Sequence, residues 1–161
     1  MNAAVLTVSD GVSAGVREDA SGDALEELLR REGFEVERAV VTDDVNVIAA
    51  AIHELAGRGA ALVLTTGGTG FAPRDVTPEA TRTVVEREAP GISEAIRADA
   101  LVRTPHALLS RGTAGLLGAT LVVNLPGSQG GCRDGFEVLR PALRHGLELA
   151  AGDTATAHRQ T

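Results

Sequence analysis

Residues 65–70, TTGGTG, place three glycines within four positions, Gly67, Gly68 and Gly70, with Thr69 among them. Glycine lets a backbone turn sharply and approach a ligand closely, and successive N–H groups in such a turn form a concavity for an anion. The segment is not a Walker A loop, because no Gly-Lys-Ser/Thr follows, and it is a poor dinucleotide fingerprint, because Pro73 stands where the third glycine belongs. It can serve as a cradle for a phosphate or nucleotide, or as a bare turn off a strand. Asp75 lies just beyond it. A carboxylate there can hold Mg2+ that also touches phosphate oxygens, or it can cap a helix or pair with Arg74. Asp43 and Asp44 form a second acidic site. One of them is the expected N-cap of the following helix, and a pair exceeds what capping requires. Carboxylates from two different strand ends are what metal-assisted phosphoryl chemistry needs. Ser110, Arg111 and the turn Pro126-Gly127-Ser128 add polar groups. Arg111 is either a phosphate partner or a surface arginine. Cys132 has no base beside it in sequence and reads as a small, partly buried residue. His53, His106, His145 and His158 show no metal-ligand spacing, and His53 and His145 read as helix-face residues.

The elements that must carry these groups alternate along the chain. Residues 3–9, AAVLTVS, form a short apolar run, as expected for a strand covered on both faces. A polar loop over 10–20 leads to a helix with Ser21 as expected N-cap, Leu25, Leu28 and Leu29 on one face, and a stop at Gly33. Residues 34–41 alternate as a second strand. Val45, Ile48, Ile52 and Leu55 stripe the next helix, and 60–65 (AALVLT) is the clearest buried strand. Thr77-Pro78 predicts a capped helix running to about Glu88. A short helix over 91–100 follows, with Ile92, Ala95 and Ile96 turned inward. A strand pair over 108–112 and 116–125 comes next. The last helix carries Phe136, Leu139, Leu143 and Leu147, and Pro141 is expected to kink it or split it in two. Strands alternating with helices predict a mostly parallel sheet with helices on both faces. The site then falls at the carboxyl ends of the strands, where the loops 9–21, 42–44, 65–77 and 124–133 share one rim.

Composition bounds the function classes. The chain has 161 residues, enough for one domain with its own core. Its net charge of −7 argues against duplex nucleic acid as a partner, and an aromatic content of 2% argues against a base-stacking surface. Acidity leaves room for a phosphorylated small ligand held by backbone N–H groups or a metal. One cysteine excludes an internal disulfide and a Cys-rich zinc site. No apolar run approaches the length of a membrane span, and the N-terminus lacks a signal-peptide pattern, so a cytoplasmic location is expected. Residues 1–151 are expected to form one domain, with 152–161 (GDTATAHRQT) as a frayed tail.

Residues 65–89, TTGGTGFAPRDVTPEATRTVVEREA, closely resemble the MogA/MoaB family of molybdenum cofactor biosynthesis proteins, which includes the G domain of gephyrin. The likeness continues through LLSRG at 108–112, VVNLPGS at 122–128 and SDGVSAGVREDASG at 9–22, and covers about residues 4–150. The resemblance implies a three-layer α/β/α sandwich with a mostly parallel central sheet, assembled as a homotrimer or a dimer of trimers. It implies adenylyl transfer from Mg-ATP to molybdopterin, with Asp43 and Asp75 as catalytic, Mg2+-holding carboxylates. It further implies that Gly67, Gly68, Thr69 and Gly70 cradle phosphates, and that Asp10, Ser110, Pro126, Gly127 and Ser128 line the pterin and nucleotide site. Thr42-Asp43-Asp44 stands where many relatives have Pro-Asp-Glu. A MoaB-like pterin-binding protein or a non-catalytic pterin-carrying scaffold is the alternative, and other proteins of the same pathway are possible partners.

Overall fold

The apolar runs around Val5, Leu64 and Val123 become the three central strands of a computed structural model that describes residues 1–152. Among the described residues the strands are β1 (Asn2–Val8), β2 (Glu35–Val41), β3 (Leu62–Thr66), β4 (Arg87–Glu88), β5 (Ala114–Leu117) and β6 (Thr120–Leu125). They form one sheet in the order β2-β1-β3-β6-β5-β4. Pairings β1–β2, β1–β3 and β3–β6 are parallel, and β5 runs antiparallel to both β6 and β4. The helices are α1 (Asp10–Ser13), α2 (Ala20–Arg31), α3 (Val45–Gly57), α4 (Thr77–Val84), α5 (Pro90–Leu101) and α6 (Gln129–Ala150), with a 3-10 turn at Pro105–Leu109.

The period of two along each strand decides which core a side chain enters. Ala3 and Val5 of β1, Leu62 and Leu64 of β3, and Leu121, Val123 and Leu125 of β6 pack against Leu25 and Leu29 of α2 and Phe136, Leu139, Leu143 and Leu147 of α6. Ala4, Leu6, Val8, Val63 and Val122 point the other way, against Ile48, Ile52 and Leu55 of α3 and Ala80 and Val84 of α4. The result is the predicted three-layer sandwich. Each fully buried leucine of these stripes contributes on the order of 2 kcal/mol.

Local expectations are corrected at five places. Asp19, not Ser21, caps α2: its carboxylate accepts from Gly22 N (3.0 Å) and from Thr7 Oγ1 (2.7 Å), and is paired with Arg38. These partners from β1 and β2 fix the cap two residues early. The loop after β1 opens with the single turn of α1, capped by Ser9. Helix α4 stops at Val84 rather than near Glu88, because Val85 turns extended and Arg87–Glu88 pairs with β5. Residues 108–112 are not a strand. Pro105 starts the 3-10 turn under a Thr104 cap, and the hairpin partner of β6 is Ala114–Leu117, with Gly118 (φ +57°) at the turn. Helix α6 is not split in two: it continues through Pro141, which lies on its exposed side, where water can take the freed Glu137 carbonyl. Apart from Gly152, the predicted tail lies outside the described residues.

Candidate active site

From β1 the chain moves outward to β2, and from β3 it moves to the other side of the sheet, so a crevice opens at their carboxyl ends. The glycine loop leaves β3 into this crevice. Gly67 (φ +98°) packs so closely on β1 that a Cβ there would lie 2.3 Å from the Val8 carbonyl oxygen. Gly68 (φ +66°) faces the start of α4, where a Cβ would meet Thr77 Oγ1 at 2.4 Å. The turn is pinned to α4 by Thr77, whose N–H donates to Gly68 O (3.1 Å) and whose hydroxyl donates to Gly67 O (2.9 Å). Arg111 pins the far side. Its backbone N–H donates to Thr69 O (2.9 Å), and its guanidinium donates to Gly70 O (2.8 Å) and Asp75 O (2.6 Å) and pairs with Glu79. Arg111 is therefore not a free surface arginine. It turns inward as a brace for the loop.

A sharp test of this packing follows. Gly67→Ala should cost at least about 2 kcal/mol in urea unfolding, because a backbone oxygen cannot rotate away from the new methyl. Gly59→Ala, at a similar φ of +90° but with nothing within 4 Å of its Cβ, should cost only about 1 kcal/mol. Equal losses would mean that backbone strain alone, and not the contact with β1, fixes Gly67.

The acidic pair after β2 divides its roles. Asp44 is the N-cap of α3, its carboxylate accepting from Val47 N at 3.0 Å. Asp43 turns to the crevice. Its Oδ2 accepts from Asp10 N (2.9 Å), and its Oδ1 faces Gly68, 3.3 Å from an ideal Cβ there. Asp75 folds back so that one carboxylate oxygen accepts from Ala72 N at 2.9 Å. The carboxylate of Asp10 is taken up by Arg74 and by the Asp43 N–H, and these hydrogen bonds hold its pKa below the usual carboxylate range.

Two clefts meet along the loop. One, of about 570 Å³, is lined by Asp43, Asp75, Gly67, Gly68, Gly127 and Ser128. The other, of about 480 Å³, is lined by Thr69, Gly70, Ser110, Pro126 and Ser128, with Ile96, Ala100 and Leu109 as apolar wall. Both fall in the size range of small-molecule sites. Of the residues that the resemblance assigns to the site, Asp10 alone lines neither. Ser128 borders both and caps α6, its hydroxyl accepting from Gly131 N at 3.1 Å. The N-terminus of this 22-residue helix therefore faces the junction, where its dipole favours a negative charge. Sequence reasoning missed Arg17 and Asp19 in the first cleft and Arg97, Arg103 and His106 in the second. Arg17 and Asp19 fall in the loop over 9–21 that the sequence places on the rim, but nothing in the spacing singles out either of them or the other three.

Cys132 is fully buried, its single S–H within reach of Pro126 O (3.0 Å) and Thr66 Oγ1 (3.2 Å), and the Thr66 hydroxyl donates to the same Pro126 carbonyl (2.7 Å), which steadies the turn. Burial pushes its pKa from 9.0 up to about 11. The stability tied to this thiol is whole below about pH 9, where both states keep the proton, and is lost as pH rises through about 11. The sequence contains neither lysine nor tyrosine, so few other side chains titrate in that window. Unfolding free energy should fall by roughly 2–3 kcal/mol across it, and Cys132→Ala should flatten the fall. An unchanged slope in urea titrations at pH 8, 9.5 and 11 would contradict this.

The donor set suits a magnesium ion that shares its ligands with substrate. Among the described residues no cluster of three or more acidic, histidine or cysteine side chains could hold a metal. One carboxylate oxygen each of Asp43 and Asp75 makes no hydrogen bond among those residues. Mg2+ commonly takes one or two carboxylates and completes its shell with water and phosphate oxygens, so the free oxygens of Asp43 and Asp75 in one cleft are donors of the right kind for it.

A family model described as "Probable molybdopterin binding domain" matches residues 4–145. The chain is 38% identical to a molybdopterin adenylyltransferase of Helicobacter pylori, over 92% of this chain and 87% of that protein. It is 37% identical to the molybdenum cofactor synthesis protein cinnamon of Drosophila melanogaster, over 96% of this chain. The chain spans only about a quarter of that relative's length, 26%. The crystal structure of the molybdopterin biosynthesis enzyme MoaB of Thermus thermophilus superposes with a TM-score of 0.88 at 46% identity, covering 94% of this chain and 96% of that one. With the glycine loop, the carboxylates and the paired clefts in place, these matches make the chain a member of the MogA/MoaB family of molybdopterin-binding domains.

Proposed function

We propose that this protein is a molybdopterin adenylyltransferase. A phosphate oxygen of molybdopterin attacks the α-phosphorus of ATP, the bond to the bridging oxygen breaks, and pyrophosphate leaves with that electron pair. The observation that carries the reading is the meeting of two clefts along one glycine loop, with Asp43 and Asp75 on the side of the first. The first cleft, acidic and lined by glycine backbone, suits a magnesium-bound triphosphate. The second, with its apolar wall, suits a planar pterin. The identity to the adenylyltransferase of Helicobacter pylori over most of both chains supports the same reading.

Each residue has a physical task. Gly67 and Gly68 let the backbone come within reach of phosphate oxygens, and Thr69 and Gly70 carry the loop from one cleft to the other. The N–H groups at the start of α6 supply fixed donors where negative charge accumulates. Ser110, Pro126 and Ser128 border the pterin side. Asp43 and Asp75 would hold Mg2+ through their unused oxygens, and the ion would screen the two phosphates from each other. The attacking phosphate is ionised at neutral pH, so no strong general base is required.

The family model's description, a probable molybdopterin binding domain, speaks of binding alone and leaves a second reading, a pterin-binding protein that carries without transferring. Pyrophosphate release separates the two. It should require ATP and molybdopterin together, and its absence with both present would leave the carrier. We further infer a homotrimer or dimer of trimers in the cytoplasm. Large apolar side chains stand exposed at Phe71, Val102 and Leu108, the last two on adjoining elements. Sedimentation of a clean monomer at micromolar protein would refute assembly. No helix among the described residues is long and apolar enough to cross a membrane.

A further inference from the structure

Arg74 sits next to Asp75 in sequence, but its side chain leaves that segment and crosses to the loops after β1 and β2. Its Nε donates to Asp10 Oδ2 at 2.5 Å, and its Nη2 donates to Asp10 Oδ1 at 3.0 Å and to Asp43 O at 3.3 Å. Asp10 and Asp43 are locked to each other in both directions. Asp43 N–H donates to Asp10 Oδ1 at 3.0 Å, and Asp10 N–H donates to Asp43 Oδ2 at 2.9 Å. One guanidinium thus joins three loops, and the last link of the chain fixes the Asp43 carboxylate with its other oxygen toward Gly68.

The Arg74 and Asp10 side chains are 65% and 43% exposed, so the ion pair contributes little to global stability. Its consequence is geometric. The residue bonded to Asp75 through the backbone also holds, through Asp10, the carboxylate of Asp43. Resting on the reading of Asp43 and Asp75 as the metal-holding pair, we propose that Arg74 is a positioning residue that sets Asp43 in register with Asp75, so that one divalent ion and the nucleotide phosphates engage both. A lysine cannot replace it, since an ammonium lacks the planar fork that grips both Asp10 oxygens and the Asp43 carbonyl.

The test is a Mn2+ titration of the full chain with the non-hydrolysable analogue α,β-methylene-ATP, followed by electron paramagnetic resonance. Arg74→Ala should weaken Mn2+ binding by about 10–100-fold, the range seen when partners behind metal ligands are removed. Affinity for the analogue without metal should stay at the wild-type level, as should the thermal midpoint. The kcat for transfer should fall with KM for ATP little changed. Arg74→Lys should recover little, and Arg74→Ala with Asp10→Asn should lose no more than Arg74→Ala alone, because both act through one chain of contacts. Mn2+ affinity within about twofold of wild type would overturn the proposal. So would a loss of metal-free analogue binding, which would make Arg74 a phosphate ligand, and so would a wild type that binds no Mn2+. A wild type without transfer activity whose Mn2+ affinity still collapses on Arg74→Ala would sink the adenylyltransferase reading and uphold the positioning role.

Discussion

Asp75→Asn should lower adenylyl transfer by about a hundredfold or more while leaving the melting temperature and the assembly unchanged. The size follows from removing a fixed charge beside a reacting phosphoryl group. The substitution is close to isosteric, and the asparagine carbonyl can still accept from Ala72 N, which now donates to the carboxylate at 2.9 Å. The loop should therefore keep its path, since it is also braced by Arg111 at Gly70 O and Asp75 O. What disappears is the negative charge of the second oxygen, which makes no hydrogen bond among the described residues. Rates within about threefold of wild type would remove Asp75 from the chemistry and leave it as a turn residue.

Adjacent carboxylates should separate just as cleanly. Asp43→Asn keeps an acceptor for Asp10 N and should melt like wild type, yet transfer should fall by about a hundredfold at saturating ATP. Asp44→Ala removes the cap on α3, where the carboxylate accepts from Val47 N. It should cost about 1 kcal/mol, or roughly 2–4 °C in melting temperature for a chain of this size, with turnover near wild type. Paired rates and melts of the two variants decide. If Asp44→Ala is the inactive one, the residue roles are shifted by one position. If neither loses rate, the carboxylate after β2 has no part in the reaction.

Asp44 also shows why part of the site was legible in the chain. An aspartate three residues before an amide donor, followed by the stripe Val45, Ile48, Ile52, is a local pattern, and local patterns survive folding. The buried strands were equally readable, because Ala4, Leu6 and Val63 and their neighbours leave no polar face to expose. Asn124 was not readable. The sequence places it at the end of the strand over 116–125, where the rim loop begins, but does not announce its burial: in β6 it is 4% exposed, with its amide donating to Thr65 Oγ1 and Thr81 Oγ1, both at 2.9 Å, and its carbonyl accepting from Thr113 N. Its partners lie on other elements, far along the chain, and no spacing announces them. Asp10 is a similar case. Its motif position marks it as a rim residue, but nothing local announces that Arg74 and the Asp43 N–H hold its carboxylate. The second cleft was hidden for the same reason, since its wall comes from α5 and the 3-10 turn, where a strand had been expected.

The most direct test follows the α-phosphorus itself. ATP labelled there with phosphorus-32 is incubated with purified protein, molybdopterin and Mg2+, and the products are separated. The label should appear in an adenylylated pterin, one pyrophosphate should form per product, EDTA should stop the transfer, and added Mg2+ should restore it. Label confined to ATP and free AMP, with molybdopterin bound but unmodified, would contradict the assignment and leave a protein that carries the pterin without transforming it.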